Sequence, residues 1–476
     1  MRVVVIGSGI VGASAAYHLS RRGADVIVVD AALEGQATAA GAGIVCPWVD
    51  HPGDDAWYAL AREGARHYPE LVEALGEDTG YERVGALLVA EDPAELEPVR
   101  ALLERRRAGA PEMGEVTVVP DPSRLFPPLA AGLSALHVPG AARVDGRAVR
   151  DALLRAAVRQ GAEVRTGTAT LTAEGEVLVA PGAAASSHDV AGLPADRLRE
   201  GRPGEGGAFG GSGTGTPGRV ETDGGGSWRQ AAPLSADRPA PLSGDGTASG
   251  SGDRPAAGSE TRGREAAAGE AAGGETAGGE AAAGQTAGGQ TAGGQTAGGE
   301  AAGGERVAAD VVVVAAGAWT GVVCGPLGVE VPVFPRRGQI VHATLDGADT
   351  AGWPIVLPHN GPYLLGFPGS RVVVGATVED VGFAPRVTMG GLDEVLRAGL
   401  RLAPGLAGAT MADVRVGLRP VHAGGQPLVC RAGERVVVAT GLSAYGLTAG
   451  PFAGRLAADL ALGERPPLDL SPYRPR

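Results

Sequence analysis

Three glycines and one acid near the amino terminus carry the clearest chemistry: Gly7-Ser8-Gly9-Ile10-Val11-Gly12, then Asp30. This spacing of glycines receives a dinucleotide pyrophosphate. Gly7 permits the tight turn out of a strand. Gly9 has no Cβ, so phosphate oxygens can approach the backbone. Gly12 lets the next helix pack closely, and that helix turns free N–H groups and its positive dipole end toward the phosphates. Asp30, with Ala31 after it, is placed to accept hydrogen bonds from the adenosine ribose. A second loop of small residues follows soon after, Gly35-Gln36-Ala37-Thr38-Ala39-Ala40-Gly41-Ala42-Gly43-Ile44-Val45. Its backbone can lie against another part of a long cofactor. A nicotinamide dehydrogenase would instead usually run straight into further strand–helix units.

The flanking pattern supplies the elements such a turn needs. Residues 2–6 are a β-branched run suited to a buried parallel strand. Residues 13–23 are helical in composition and end at a Gly with Arg in the last turn, and 24–29 form a second strand ending at Asp30. Further on, 147–160 predicts a helix with apolar Val149, Leu153, Ala156 and Ala157, followed by strands over 162–171 and 174–180. Residues 311–314 are four valines running into the small-residue turn Ala315-Ala316-Gly317-Ala318-Trp319. Residues 363–365 and 371–377 read as two strands joined by a Gly-Phe-Pro-Gly turn, and 392–402 as a helix. A strand at 436–439 leads through Thr440-Gly441-Leu442-Ser443-Ala444-Tyr445-Gly446-Leu447-Thr448 into a helix running toward Leu460.

Composition narrows the classes. The net charge of −13 argues against a nucleic-acid partner or an anionic membrane surface. Every basic residue is Arg, which excludes a P-loop lysine and a pyridoxal-phosphate Schiff base. Cys46, Cys324 and Cys430 lack metal-site spacing; they fit a reducing, cytoplasmic setting, and no metal is expected. Met1-Arg2 and the apolar run after it have a signal-peptide flavour, but the same residues serve the dinucleotide turn. No apolar run is long enough for a transmembrane helix. Residues 183–304 are mostly Gly, Ala, Ser, Pro, Thr and charge, and from Glu265 they repeat a five-residue unit that fits neither helix nor strand. Such a segment cannot offset roughly 1–2 kcal/mol per residue of backbone ordering, so a long disordered insertion is expected.

On these motifs the chain resembles the D-amino-acid oxidase, glycine oxidase and sarcosine oxidase family of FAD-dependent oxidoreductases, the DAO family. The loop Thr38-Ala39-Ala40-Gly41-Ala42-Gly43 is similar to the family's Thr/Ser-x-x-x-Ala-Gly segment lining the pyrophosphate and flavin ring. Val138-Pro139-Gly140-Ala141-Ala142-Arg143-Val144-Asp145-Gly146 looks like the family's return to the cofactor domain. The turn at Gly317 resembles its Ala-x-Gly-Ala-Trp signature beside FAD, and Pro335-Arg336-Arg337-Gly338-Gln339 its crossing into the substrate domain. The resemblance implies an α/β protein with a discontinuous Rossmann-like FAD-binding domain over 1–85, 138–182, 305–335 and 417–476. An α+β substrate-binding domain, built on a mostly antiparallel sheet, would cover 86–137 and 336–416, with the insertion at 183–304.

The same resemblance implies oxidation of the C–N bond of a small amino or imino acid: hydride passes to flavin N5, giving an imine and then a 2-oxo acid. Arg419, in Gly417-Leu418-Arg419-Pro420, falls where the family holds the substrate carboxylate, and a guanidinium fork suits two carboxylate oxygens. Tyr363 falls where a Tyr bonds the same carboxylate. Noncovalent FAD would rest on Gly7, Gly9, Ile10, Val11, Gly12, Asp30, Ala31, Ala37, Thr38, Gly43, Ile44, Val45, Gly317, Gly441 and Tyr445. Backbone N–H groups around Gly446, Leu447 and Thr448 would meet charge developing near flavin N1. His51, His359 and His422 are weighed as bases and read as structural or exposed. The final turn has Ala444 and Tyr445 where glycine oxidases carry an Arg, which argues against glycine itself. No Lys is present to activate oxygen as in monomeric sarcosine oxidases, so O2 and a quinone-type acceptor both stay open. A flavin-dependent 2-hydroxy-acid or polyol-phosphate dehydrogenase, or a non-catalytic dinucleotide-binding protein, are the alternatives.

Overall fold

The computed structural model describes residues 1–181 and 304–475. The segment 183–304, expected to be a disordered insertion, lies outside the described residues except for Gly304. The described chain forms two eight-stranded sheets and a small three-stranded one. The first sheet runs in the order Glu305–Val307, Val177–Pro181, Glu163–Leu171, Asp25–Asp30, Arg2–Ile6, Val311–Val314, Val436–Thr440, Leu428–Arg431. Its five central strands are parallel and its edges turn antiparallel.

Side-chain alternation explains why this sheet is covered on both faces. Val3, Val5, Val26, Val28, Val313 and Val437 point into one apolar cluster with helices Ile10–Arg21, Gly146–Arg159 and Gly446–Leu462. Val4, Ile6, Ile27, Val29, Val312 and Val314 point into another with Ala169, Leu171 and Val331. Such β-branched runs, buried on both sides, are what a central parallel strand requires.

The last helix brings the carboxy-terminal turn to the dinucleotide turn. Helix Gly446–Leu462 crosses helix Ile10–Arg21 at Gly450 and Gly454, where an added Cβ would meet Ile10 Cγ2 at 2.7 Å and the Val11 carbonyl oxygen at 2.5 Å. Ser14 Oγ donates to the carbonyl of the in-helix Pro451 at 2.6 Å across the same contact.

The second sheet runs Thr410–His422, Val333–Thr344, Arg371–Gly375, Tyr363–Phe367, Ile355–Pro358, Ala86–Ala90, Ser134–Val138, Thr117–Val119. It is antiparallel except for the pair Ile355–Pro358 with Ala86–Ala90. The segment Pro335–Gln339, expected as a crossing, lies inside the long strand Val333–Thr344, and Gly417–Pro420 inside Thr410–His422. These two strands pair along their whole lengths and bring Arg336, Arg337, Gly338 and Arg419 together. Leu418 N–H donates to the Gly35 carbonyl at 2.8 Å, so this strand also holds the small-residue loop after Asp30.

Candidate active site

Both sheets contribute walls to one cavity of about 410 Å³. It is lined by Gly9 at one end of the sequence and Tyr445 at the other. Along it lie Gly7, Gly9, Ile10 and Val11 of the first turn, Asp30 and Ala31, then Ala37, Thr38, Gly43 and Ile44 of the second loop. Gly317, Tyr445, Gly446, Leu447 and Thr448 close the far side, and Tyr363 and Arg419 stand in the wall from the second sheet. Gly12, Val45 and Gly441 are not in the wall. A Cβ on Gly12 would strike the Gly7 carbonyl oxygen, so this glycine serves helix packing.

The cradle fits a dinucleotide. Gly7 has φ of +100°, and a Cβ there would lie 2.5 Å from the Ala315 carbonyl oxygen. A Cβ on Gly9 would have only the Thr38 hydroxyl within 4 Å, at 3.4 Å; its empty side is cavity. Thr38 Oγ1 accepts from the Ile10 N–H at 3.0 Å and so joins the two glycine-rich loops. Asp30 accepts from Ser8 N–H at 2.6 Å and Ala32 N–H at 2.7 Å, which fixes its carboxylate at the strand end. Thr448 Oγ1 donates to the Ile44 carbonyl at 2.9 Å and Thr440 Oγ1 to Gly317 at 3.0 Å, tying the final turn to the other cofactor-side segments. These residues suit FAD.

Arginines on the paired strands are sorted by their partners. Arg336 binds Asp380 through Nε at 2.7 Å and Nη2 at 3.1 Å. Arg337 is paired with Glu379, which also accepts from Gln339 at 2.8 Å and Thr377 at 2.6 Å. Burial pushes the Glu379 carboxyl up, but Arg337 and these donors outweigh it and hold it down to about 2. Arg419 has no ion pair among the described residues. Its Nη1 donates to the carbonyls of Arg337 at 3.2 Å and Thr377 at 3.0 Å, and the Tyr363 hydroxyl is bonded to it. Burial lowers the Arg419 pKa and pushes the Tyr363 phenol up to about 12, so the pair stands as a guanidinium and a neutral phenol. A half-buried cation with no counter-ion among the described residues calls for an anion.

The three histidines stand outside the cavity wall. His51 stacks on Trp57 at 4.6 Å, and burial lowers it to about 4. His422 Nδ1 is 2.7 Å from the Gln426 carbonyl, and the His359 N–H is given to Val89. Cys46 does line the cavity, where burial and then the Asp50 charge push its thiol up and keep it neutral. Among the described residues no cluster of His, Cys, Asp or Glu is arranged for a metal, and no helix is long and apolar enough to cross a membrane.

Several wall residues carry no local signal in the sequence. Gly167 to Thr170 enter the wall because strand Glu163–Leu171 pairs in parallel beside Asp25–Asp30. Gly338 was read as part of a crossing, yet its missing side chain makes the room that the Arg419 guanidinium occupies. Asp50 is a lone acid in a loop, with no periodicity or motif to mark it.

Residues 2–192 and 255–460 match the DAO family, described as FAD dependent oxidoreductase. The chain is 34% identical to the uncharacterized oxidoreductase YurR of Bacillus subtilis (strain 168), over 99% of this chain and 98% of that protein. The crystal structure of iminodiacetate oxidase (IdaA) from Chelativorans sp. BNC1 superposes with a TM-score of 0.72 at 36% identity, covering 100% of this chain and 99% of that one. A glycine oxidase of Pseudomonas putida is 32% identical over 171 residues, 36% of this chain and 46% of that protein.

Proposed function

The chain belongs to the DAO family of FAD-dependent oxidoreductases, and we propose that it oxidises the C–N bond of a small amino or imino acid to an imine, which hydrolyses to a 2-oxo acid. The observation that carries this reading is Arg419, a guanidinium in the cavity wall that is held by two carbonyls and Tyr363 and has no carboxylate partner among the described residues.

When bound, noncovalent FAD supplies the two-electron acceptor. Gly7, Gly9, Ile10 and Val11 would cradle its pyrophosphate and Asp30 its ribose, with Thr38, Gly43 and Gly317 also holding it. Arg419 takes the substrate carboxylate as a fork, and Tyr363 adds a hydroxyl, so the Cα–H is fixed in one direction. The N–H groups of Gly446 to Thr448 open the last helix and present its positive end to the cavity, where negative charge develops. In this reading 1–85, 138–182, 305–335 and 417–476 serve the cofactor, and 86–137 with 336–416 serve the substrate. The iminodiacetate oxidase and glycine oxidase names support amines as the substrate class.

Anaerobic titration tests the proposal. The purified yellow protein is mixed with D-amino acids, glycine, sarcosine, proline, iminodiacetate, 2-hydroxy acids and glycerol phosphate. Bleaching by amino or imino acids is expected. Bleaching by hydroxy acids or glycerol phosphate alone overturns the amine assignment, and a colourless protein that binds NAD overturns the enzymatic one.

A further inference from the structure

We propose that Asp50 receives the substrate's amine: its carboxylate holds the ammonium and takes the proton that must leave before the C–N bond is oxidised. The inference deepens the amino- or imino-acid reading above and rests on it. Asp50 lines the same cavity as Arg419 and Tyr363. Asp50 and Asp30 are the acids in that wall, and Asp30 is committed to backbone N–H groups at the ribose end.

The Asp50 backbone is fixed and its carboxylate is left available. Arg106 spends its donors on the main chain: Nη1 on the carbonyls of Trp48 at 2.8 Å and Asp50 at 2.7 Å, Nη2 on His51 at 2.9 Å. Its guanidinium lies 3.9 Å over the Tyr58 ring, so it clamps the loop and makes no direct ion pair with the acid. The Tyr445 hydroxyl donates to the Asp50 carboxylate, and the Tyr445 ring is held by His51 at 4.8 Å and Trp57 at 5.2 Å. One lone pair is thus used and the others remain. Two opposite charges, neither with an ion-pair partner among the described residues, share one cavity. An α-amino or α-imino acid carries the complementary two.

The proton step balances within this pair. The N–H bond of the ammonium breaks, an O–H bond forms on Asp50, no electrons change owner, and the neutral amine keeps its lone pair for the imine. Burial pushes the Asp50 carboxyl up to about 6, against the Tyr445 hydrogen bond and the Arg106 charge, which makes it a base near neutrality. The other groups around it hold their states: Tyr445 is pushed well up, Cys46 is a neutral thiol, and His51 is neutral above about 4.

The test is equilibrium binding to the FAD-loaded full chain, read by perturbation of the flavin absorbance, with two ligands that cannot form an imine. Trimethylglycine carries a fixed positive nitrogen; methoxyacetate is neutral at the same position. Asp50→Asn should weaken trimethylglycine by about tenfold or more and methoxyacetate by less than about twofold. In the unaltered protein, which needs no variant to fold, trimethylglycine affinity should fall about tenfold from pH 7.5 to 5, while methoxyacetate affinity stays level. Equal response of the two ligands to the substitution and to pH overturns the role of Asp50. If neither ligand binds at all, the carboxylate site of Arg419 fails first, and that outcome separates the two readings.

Discussion

The guanidinium of Arg419 lies against the backbone of Gly338 on the neighbouring strand, in the space that a side chain at 338 would fill. The register places Gly338 opposite Gly417 and Arg337 opposite Leu418, so Arg419 folds back diagonally over its partner strand. Gly338→Ala should therefore displace the guanidinium without touching the cofactor loops. The expected result is a rise in KM of about tenfold or more for a carboxylate substrate, with FAD content unchanged. A variant with native KM would show that Arg419 does not need this position.

Removing the cation itself separates function from stability. Arg419 is a half-buried charge with two carbonyls and a phenol for company, so its desolvation is only partly offset. Arg419→Met should raise KM by about 100-fold, the size of a charged hydrogen-bonded contact of roughly 2–3 kcal/mol. Its melting temperature should stay level or rise, because the unpaired charge is gone. A large drop in melting temperature, with KM unchanged, would make Arg419 a structural residue.

Much of this site is legible in the sequence. Gly7, Gly9 and Gly12 are legible because a strand, a helix and an acid surround them at fixed spacing, and close backbone approach admits only glycine. The valines at 311–314 are legible because burial on both faces leaves no polar position. The three arginines 336, 337 and 419 were harder to rank. Which one lacks a partner depends on Asp380 and Glu379, some forty residues away on the chain, and on the pairing of two long strands. Tyr445 is expected among the residues that hold FAD, and its hydroxyl also serves Asp50 from the opposite end of the sequence. Long-range pairs of single polar residues leave no local period to detect.

Glu379 gives a pH prediction of definite sign. Its carboxyl lies at about 2 in the folded protein against 4.5 when unfolded, so its stabilising contribution is present above 4.5 and is lost as pH falls through about 2. Glu379→Gln leaves the buried Arg337 without its counter-ion and should cost roughly 1–3 kcal/mol at pH 7. Urea unfolding of both proteins should show this gap narrowing between pH 4.5 and 2.5. A gap that stays constant with pH would mean that the charge of Glu379 contributes nothing.

Asp50 gives the opposite sign. Its folded value of about 6 lies above 3.8, so the contribution of this residue is full below 3.8 and is lost as pH rises through about 6. Asp50→Asn should then be more stable than the unaltered protein at pH 7.5, by about 1–2 kcal/mol once screening through the cavity is allowed for, and equal to it near pH 4. Denaturation at the two pH values reads this directly; a variant that is less stable at both would assign Asp50 a structural role.

The last prediction concerns residues 182–303. Strands Val177–Pro181 and Glu305–Val307 pair antiparallel, with Val179 opposite Glu305, so the two ends of this segment emerge side by side from one sheet edge. A two- to five-residue loop is enough to join such strands. Closing a long loop costs only logarithmically more than closing a short one, and replacing it by a short turn should not reduce stability. Replacing 182–303 by Asn-Gly is therefore expected to leave FAD content, melting temperature within a few degrees, and turnover unchanged. The edge strands carry no residue of the proposed carboxylate or amine sites. Loss of FAD or of soluble protein on this replacement would mean that the segment contributes to folding.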